Sequence, residues 1–286
     1  MRFITYTQGK EQRLGVVTGN EVIDLNQAQP QISADLRTAL RQGQDLVGAA
    51  KAAIASGAPR LPLASLQLAP VMPEPGKIVC LGLNYFEHAK EGGHAKPVYP
   101  SFFMRANSSL LAPNAKALRP KVSERLDYEA ELAVVIGKTV KHATMDNALD
   151  AVFGYSVFND ISVRDYQKKT PQWTIGKNFD RTGPFGPVLV TADELPAGAT
   201  DLRIQARLNG QVMQDANTRD MIWGVAETIT LITECMTLEP GDLIIMGTPS
   251  GVGQARTPPV WMRHGDVVEI EIENIGVLRN TIEDEV

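Results

Sequence analysis

The sequence DYEAELAVVIG, residues 127–137, has the alternation of a β-strand that carries two carboxylates on one face. Side chains in a strand alternate between its faces, so Glu129 and Glu131 project together while Leu132 and Val134 lie opposite. Both faces become apolar toward the end of the stretch, which indicates a strand covered on both sides. Two adjacent anions on such a strand need a compensating charge, and a divalent cation would supply it.

A solvated sheet edge would also place glutamates side by side. The sequence VVEIEIE, residues 267–273, shows that second pattern, because one face is glutamate throughout and the other is aliphatic. The stretch at 127–137 lacks this separation. We therefore interpret Glu129 and Glu131 as candidate metal ligands, since clustered titratable groups mark functional sites more often than chance.

Length and composition limit the class of protein. The chain has 286 residues, 43% hydrophobic and 21% charged, which is typical of a globular protein with a large core. A net charge of −5 gives no general attraction to nucleic acid or to an anionic membrane, so neither is an expected partner.

Targeting and cysteine patterns indicate the compartment. The first residues lack a secretory pattern and no apolar run reaches the length of a membrane span, so we expect a cytoplasmic protein. Cys80 and Cys235 lie far apart without the spacing of a zinc site. We expect two buried thiols in a reducing compartment rather than a disulfide.

The order of strand and helix patterns predicts an α+β protein in two parts. Three short alternating segments and two helices precede residues 59–76, where five prolines discourage regular structure. We place a small N-terminal α/β domain at residues 1–70 and the larger domain at residues 71–286. The larger part is rich in strand patterns and includes a hairpin turn at Asn209-Gly210.

His88 and Glu91 are three residues apart, so they share one face of a helical turn. A carboxylate in that position could orient an imidazole for general-base catalysis. The same spacing is common in polar pairs on exposed helices, and the segment alone favours such a surface pair. The glycines that follow, in the sequence GGHAKP at residues 92–97, predict a loop that can order over a ligand.

A third carboxylate, Asp160, ends the apolar stretch FGYSVFND at residues 153–160. Arg164 and Gln167 follow it three residues apart, where they would share a helical face or simply be solvated. Lys177 lies between Trp173 and a turn-rich segment, which suggests partial burial, although lysines often reach the surface from such positions.

These residues resemble the fumarylacetoacetate hydrolase family from about residue 77 to the C-terminus. The resemblance is specific because four separated motifs match in order and spacing. The motifs are Gly82-Leu83-Asn84-Tyr85 with His88 and Glu91, Asp127-Tyr128-Glu129-Ala130-Glu131, Asn159-Asp160 with Arg164 and Gln167, and Gly247-Thr248-Pro249-Ser250-Gly251-Val252.

The resemblance implies a homodimer and a larger domain built as a mixed β-roll with few helices. It implies that three carboxylates bind Mg²⁺ or Mn²⁺ and that a histidine–glutamate dyad activates water. The implied metal ligands are Glu129, Glu131 and Asp160; the implied catalytic residues are His88, Glu91 and Lys177; the implied substrate contacts are Arg164, Gln167, Thr248 and Arg105. Many relatives carry lysine where this chain has Arg105, so its contact with the distal end of the substrate would differ from theirs.

Three carboxylates form a hard, all-oxygen site that leaves positions open for a chelating 2-oxo acid. We expect a hydrolase that cleaves a carbon–carbon bond of a 2,4-diketo acid, with pyruvate as the enolate leaving group stabilised by the metal. The same site could decarboxylate oxaloacetate-like acids or isomerise hydroxymuconate-type dienes without attack by water. A binding module without turnover is a further alternative, but it would leave the dyad unexplained.

Overall fold

The computed structural model describes residues 1–286 as nineteen strands and seven short helices, joined by loops and 3₁₀ turns. The strands are β1 (Arg2–Gln8), β2 (Glu11–Thr18), β3 (Glu21–Asp24), β4 (Arg60–Pro62), β5 (Gln67–Leu68), β6 (Ile78–Gly82), β7 (Ser101–Met104), β8 (Leu110–Leu111), β9 (Lys116–Arg119), β10 (Leu126–Asp127), β11 (Ala130–Ile136), β12 (Val152–Asn159), β13 (Ser162–Val163), β14 (Gly183–Thr191), β15 (Arg203–Leu208), β16 (Gln211–Asn217), β17 (Leu243–Ile245), β18 (Val267–Ile272) and β19 (Gly276–Asp284). The helices are α1 (Leu25–Ala28), α2 (Leu36–Arg41), α3 (Leu46–Ala55), α4 (Phe86–Glu91), α5 (Arg164–Gln167), α6 (Thr174–Lys177) and α7 (Val225–Cys235). None of these helices combines the length and the apolar composition that a membrane crossing requires.

The largest sheet runs in the order β4-β3-β2-β1-β14-β12-β11-β17-β6-β7, and β5 and β8 pair at its side with β1 and β14. Most neighbours are antiparallel, but β17 and β6 are parallel, so the sheet is mixed. The meander β1–β3 joins this sheet through antiparallel pairing of β1 with β14, with Phe3 opposite Leu189. The N-terminal part and the rest of the chain therefore share one sheet, and the boundary near residue 70 stays a prediction.

A second sheet, in the order β16-β15-β18-β19-β9, covers one face of the first. Leu132 and Val134 of β11 pack on that side, in a cluster that also contains Ile204 of β15 and Ile270 of β18. Val135 faces the opposite cluster, which includes side chains of α2 and α3. Every residue of β11 is buried, as the two apolar faces of the sequence predict.

Several local predictions are confirmed and two need correction. Asn209 and Gly210 have positive φ of 51° and 79°. The predicted two-residue hairpin turn requires positive φ at both positions, and a turn of this type matches the twist of the flanking strands. The predicted continuous strand at 127–137 is wrong at its start, because the strand breaks at Tyr128 and Glu129 and resumes at Ala130. Cys80 is buried as expected, whereas Cys235 is exposed at the end of α7.

Candidate active site

The residues assigned from the sequence converge on one cavity of about 510 Å³. They reach it from β11, α4, α5, α6 and the glycine-rich loop after β17, which lie far apart in the chain. The assigned residues that line the cavity are His88, Glu91, Glu129, Glu131, Arg164, Gln167, Lys177 and Thr248. Asp160 and Arg105 lie behind its wall.

The three candidate metal ligands meet because β11 and β12 are antiparallel neighbours. Ala130 pairs with Asn159, which places Glu129 beside Asp160, and the Asp160 amide donates to the Glu129 carbonyl at 3.0 Å. The Asn159 side chain accepts a hydrogen bond from the Glu129 amide at 3.0 Å and fixes the break between β10 and β11. One carboxylate oxygen from each of Glu129, Glu131 and Asp160 lies within 4.8 Å of the others.

Cations on two sides compensate part of this negative charge. The Lys177 ammonium donates to Glu129 and to Asp160, each at 2.5 Å, and Arg164 pairs with Glu129 at 2.7 Å. Burial would raise the pKa of Glu129, but Arg164 and Lys177 outweigh it and lower that pKa to about 2. Burial alone would lower the pKa of Lys177, yet Asp160 and Glu129 raise it, so the lysine is held as a cation.

Glu131 is the carboxylate without a paired cation. It is 1% exposed and forms no ion pair; its Oε2 accepts one hydrogen bond from the Gly247 amide at 2.6 Å. Burial and the charges of Asp160 and Glu129 raise the pKa of Glu131 well above its usual range. A buried carboxylate in this state requires either a proton or a further cation.

The donor set fits a hard divalent metal. Three convergent carboxylates provide oxygen ligands only, which suits Mg²⁺ or Mn²⁺ and not a thiophilic metal. The carboxylate that lacks a cation also lines the cavity, so a metal bound there would be open to a substrate. Glu129, Glu131 and Asp160 would hold it.

Arg105 does not have the position expected of a substrate contact. Its side chain has no exposed surface, and Nη1 donates to Asp160 Oδ1 while Nε donates to Ser109 Oγ at 3.2 Å. Nη2 donates to Thr182 Oγ1 at 3.0 Å. All three guanidinium nitrogens are thus satisfied by the protein, so Arg105 orients the candidate metal ligand Asp160 and is not free to contact the distal end of a substrate.

Three side chains at the inner end of the cavity keep polar hydrogens free for a ligand. Arg164 donates from Nε to Asp127 at 2.8 Å and from Nη1 to Gln167 Oε1 at 3.0 Å, whereas its buried Nη2 has no partner. Gln167 uses only its oxygen in that contact. Thr248 accepts from Gln214 at 2.8 Å, so its own hydroxyl hydrogen can be donated. These donors suit a substrate carboxylate.

His88 and Glu91 form a preassembled dyad. His88 Nδ1 lies 2.8 Å from Glu91 Oε1, and Glu91 Oε2 accepts a hydrogen bond from the Gly251 amide at 2.8 Å. The carboxylate assigns the proton to Nδ1, which leaves the lone pair on Nε2 available to act as a base. The structure therefore places this pair at the cavity rather than on an exposed helix surface.

Residues 77–283 match the model of the C-terminal domain of fumarylacetoacetate (FAA) hydrolase. The chain belongs to the fumarylacetoacetate hydrolase family. This confirms the resemblance of the four motifs.

Two further similarities extend over nearly the whole chain. Over 273 residues the sequence is 39% identical to human "Oxaloacetate tautomerase FAHD2A, mitochondrial", a match that covers 94% of this chain and 87% of the human one. The structure of fumarylacetoacetate hydrolase from the psychrophile Exiguobacterium antarcticum is 35% identical, with a TM-score of 0.87 and full coverage of both chains. The α+β fold expected of the family is thereby confirmed.

A third similar structure contains ligands. Maleylpyruvate hydrolase from Sphingobium sp. SYK-6, in complex with manganese(II) and pyruvate, is 32% identical, with a TM-score of 0.83 and full coverage of both chains. Its manganese supports the interpretation of the acidic triad as a divalent-metal site.

The sequence analysis did not assign Asp127, Asn84 or Gln214, which hold this family site together. Asp127 is fully buried and accepts from the Gly253 amide at 2.8 Å, the Gln254 amide at 3.0 Å and Arg164. It therefore fixes the Arg164 side chain to the glycine-rich loop. Its position at the start of the acidic stretch was the only signal in the sequence.

Asn84 and Gln214 satisfy backbone groups beneath the cavity. Asn84 donates to the carbonyls of Trp223 and Met246 at 3.0 and 2.6 Å and accepts from the Trp223 amide at 2.8 Å. Gln214 accepts from the Ala130 amide at 2.9 Å and donates to Thr248. These partners lie between 34 and 162 residues away in the chain, so sequence spacing alone does not reveal the contacts.

The glycine-rich loop after β17 binds carboxylates of the protein itself. The amides of Gly247, Gly251 and Gly253 donate to Glu131, Glu91 and Asp127. Gly247 has φ of 89°, and a Cβ there would lie 2.7 Å from Asn84 Cβ. A residue with a side chain would therefore displace the amide that holds Glu131.

Proposed function

We propose that this protein is a metal-dependent enzyme that interconverts the keto and enol forms of a small 2-oxo acid, with oxaloacetate as the substrate. One observation carries the proposal: Glu129 and Glu131, two of the three candidate metal ligands, line the same cavity as the His88–Glu91 dyad. A proton carrier thus lies in the same enclosure as the group that would hold a 2-oxo acid. The name of the human relative supports oxaloacetate as the acid.

The residues divide the reaction between them. Arg164 Nη2, Gln167 and Thr248 hold the substrate carboxylate, and a bound Mg²⁺ or Mn²⁺ would supply positive charge beside the 2-oxo oxygen. His88 Nε2 takes a proton from C3 as the electron pair of that bond forms the C2–C3 double bond. Lys177 donates a proton to the 2-oxo oxygen, and exchange with solvent restores both side chains.

Hydrolysis of a 2,4-diketo acid is the second candidate, because the dyad would serve it equally well. There His88 takes a proton from water and the hydroxide adds to the distal carbonyl. The carbon–carbon bond then breaks to give the second acid, its electron pair leaves on the enolate of pyruvate, and that enolate takes the proton back from His88 to form pyruvate. The similar maleylpyruvate hydrolase favours this alternative. Decarboxylation or diene isomerisation would use the same metal and carboxylate contacts without the added water.

Removal of the metal tests the proposal. Purified protein treated with a chelator should lose the ability to accelerate enol–ketone exchange of oxaloacetate, followed by the absorbance of the enol, and Mg²⁺ or Mn²⁺ should restore it. Acylpyruvates assayed for pyruvate release test the second candidate on the same samples. Full activity in the chelated sample would contradict the metal site, and pyruvate release without enol exchange would replace the first reaction by the second.

We also propose that the protein is a cytoplasmic homodimer. The dimer rests on the family, and the location on the free thiols of Cys80 and Cys235, which suit a reducing compartment. Light scattering at micromolar protein should give twice the mass of one chain. A monomer mass under those conditions would remove the dimer from the proposal.

A further inference from the structure

One wall of the cavity consists of residues 164–170, and its side chains become more exposed along the chain. Arg164 is 4% exposed, Gln167 is partly buried, and Lys168 and Thr170 are exposed. All four line the cavity. The wall therefore leads from the inner, metal-binding end at Arg164 to the solvent at Lys168.

The part of the cavity lining that comes from α4 shows the same progression. The side chains of His88 and Glu91 in α4 are 13% and 20% exposed, whereas His94, in the turn that follows, is exposed. The His94 amide donates to the Ala89 carbonyl at 2.8 Å, which folds the turn back on α4, and its ring lines the cavity. Both parts of the lining thus end in a basic side chain at the mouth.

These two side chains have no partner within the protein. Neither the Lys168 ammonium nor the His94 ring forms an ion pair or a side-chain hydrogen bond. Neighbouring basic residues differ: Lys169 Nζ lies 3.3 Å from the centroid of the Tyr166 ring, and Lys90 pairs with Glu87 at 3.6 Å. Neither of those lysines lines the cavity.

We infer that Lys168 and His94 form a subsite for a second, distal carboxylate, so that the enzyme selects 2-oxo dicarboxylates over 2-oxo acids with an uncharged tail. The inference rests on the proposed function, because the inner end must bind the first carboxylate. The inner donors, and the metal that the carboxylates would hold, fix one end of the substrate. Lys168, the only unpaired cation along the cavity wall, then lies at the other end.

The test uses ligand pairs that differ only in the distal charge: oxaloacetate and its 4-methyl ester, and succinylpyruvate and its terminal methyl ester. Dissociation constants are measured by calorimetry on Mn²⁺-loaded protein. Lys168→Met should weaken binding of the dicarboxylates about threefold to tenfold, as expected of an ion pair at a cavity mouth. Lys168→Glu should weaken it further, and His94→Ala should act in the same direction as Lys168→Met.

Three comparisons make the result specific. Lys169→Met, which removes the adjacent charge outside the cavity, should leave every constant within about twofold. The dissociation constant of each ester should be the same for all variants. The same should hold for oxalate, because it fills only the inner end of the cavity. Equal binding of acid and ester in both pairs, or an equal loss for acid, ester and oxalate in Lys168→Glu, would overturn the subsite.

The same measurements separate this inference from the proposed function. Preference for the dicarboxylates without enol exchange would support the subsite and reject the proposed reaction. Enol exchange without that preference would support the reaction and reject the subsite.

Discussion

Replacing His88 by alanine is expected to lower kcat about 10²- to 10⁴-fold, the range for loss of a positioned general base. Substrate affinity should change much less, because Arg164, Gln167 and Thr248 are untouched at the inner end of the cavity. The measurement is kcat for enol exchange together with the dissociation constant of oxalate. In this variant kcat should fall while the dissociation constant of oxalate stays nearly unchanged.

The matched substitutions show whether the dyad acts as a unit. Glu91→Gln should also lower kcat, but by less than His88→Ala. The reason is that one glutamine oxygen cannot accept from both His88 Nδ1 and the Gly251 amide, as the two carboxylate oxygens do. His264→Ala is the control, since His264 Nδ1 only accepts from the Asp284 amide at 3.2 Å, away from the cavity. Unchanged kcat in His88→Ala would mean that another group moves the proton.

Replacing Glu131 by glutamine is expected to weaken metal binding by at least about 10²-fold, the upper range for disturbing even an outer contact of a metal site. Activity at low metal concentration should fall with it. The metal-free variant should be as stable as the wild type or more so, because Glu131 is a buried anion without a paired cation. Glutamine keeps the acceptor for the Gly247 amide and removes the charge.

Calorimetric titration with Mn²⁺ and thermal unfolding with a chelator present measure the two effects. Mn²⁺ should raise the Tm of the wild type but not that of Glu131→Gln, since a ligand stabilises only the state that binds it. Glu124→Gln, an exposed glutamate three residues before the acidic stretch, is the control for loss of one negative charge. Normal Mn²⁺ affinity, or a metal-free variant that melts well below the wild type, would contradict this account.

The sequence alone was sufficient for the features that depend on neighbouring residues. Alternation predicted that β11 is covered on both sides, and in β18 the glutamates are partly exposed while Val268, Ile270 and Ile272 are buried. The Asn209-Gly210 turn followed from local backbone preference. The sequence pattern and the family resemblance named Glu129, Glu131 and Asp160 as candidate ligands, and the three carboxylates do lie together, although Glu129 lies just outside the strand.

Only the tertiary structure decided which polar residues belong to the site. The spacing of His88 and Glu91 is equally typical of a surface pair, and contact with Gly251, 160 residues later, places the dyad at the cavity. Arg105 proved to orient Asp160, and Lys168 and His94 line the same cavity although no sequence motif links them. Packing between distant segments decides how deeply a charged side chain is buried and which groups it can pair with. It therefore also decides whether that side chain remains free to bind a ligand.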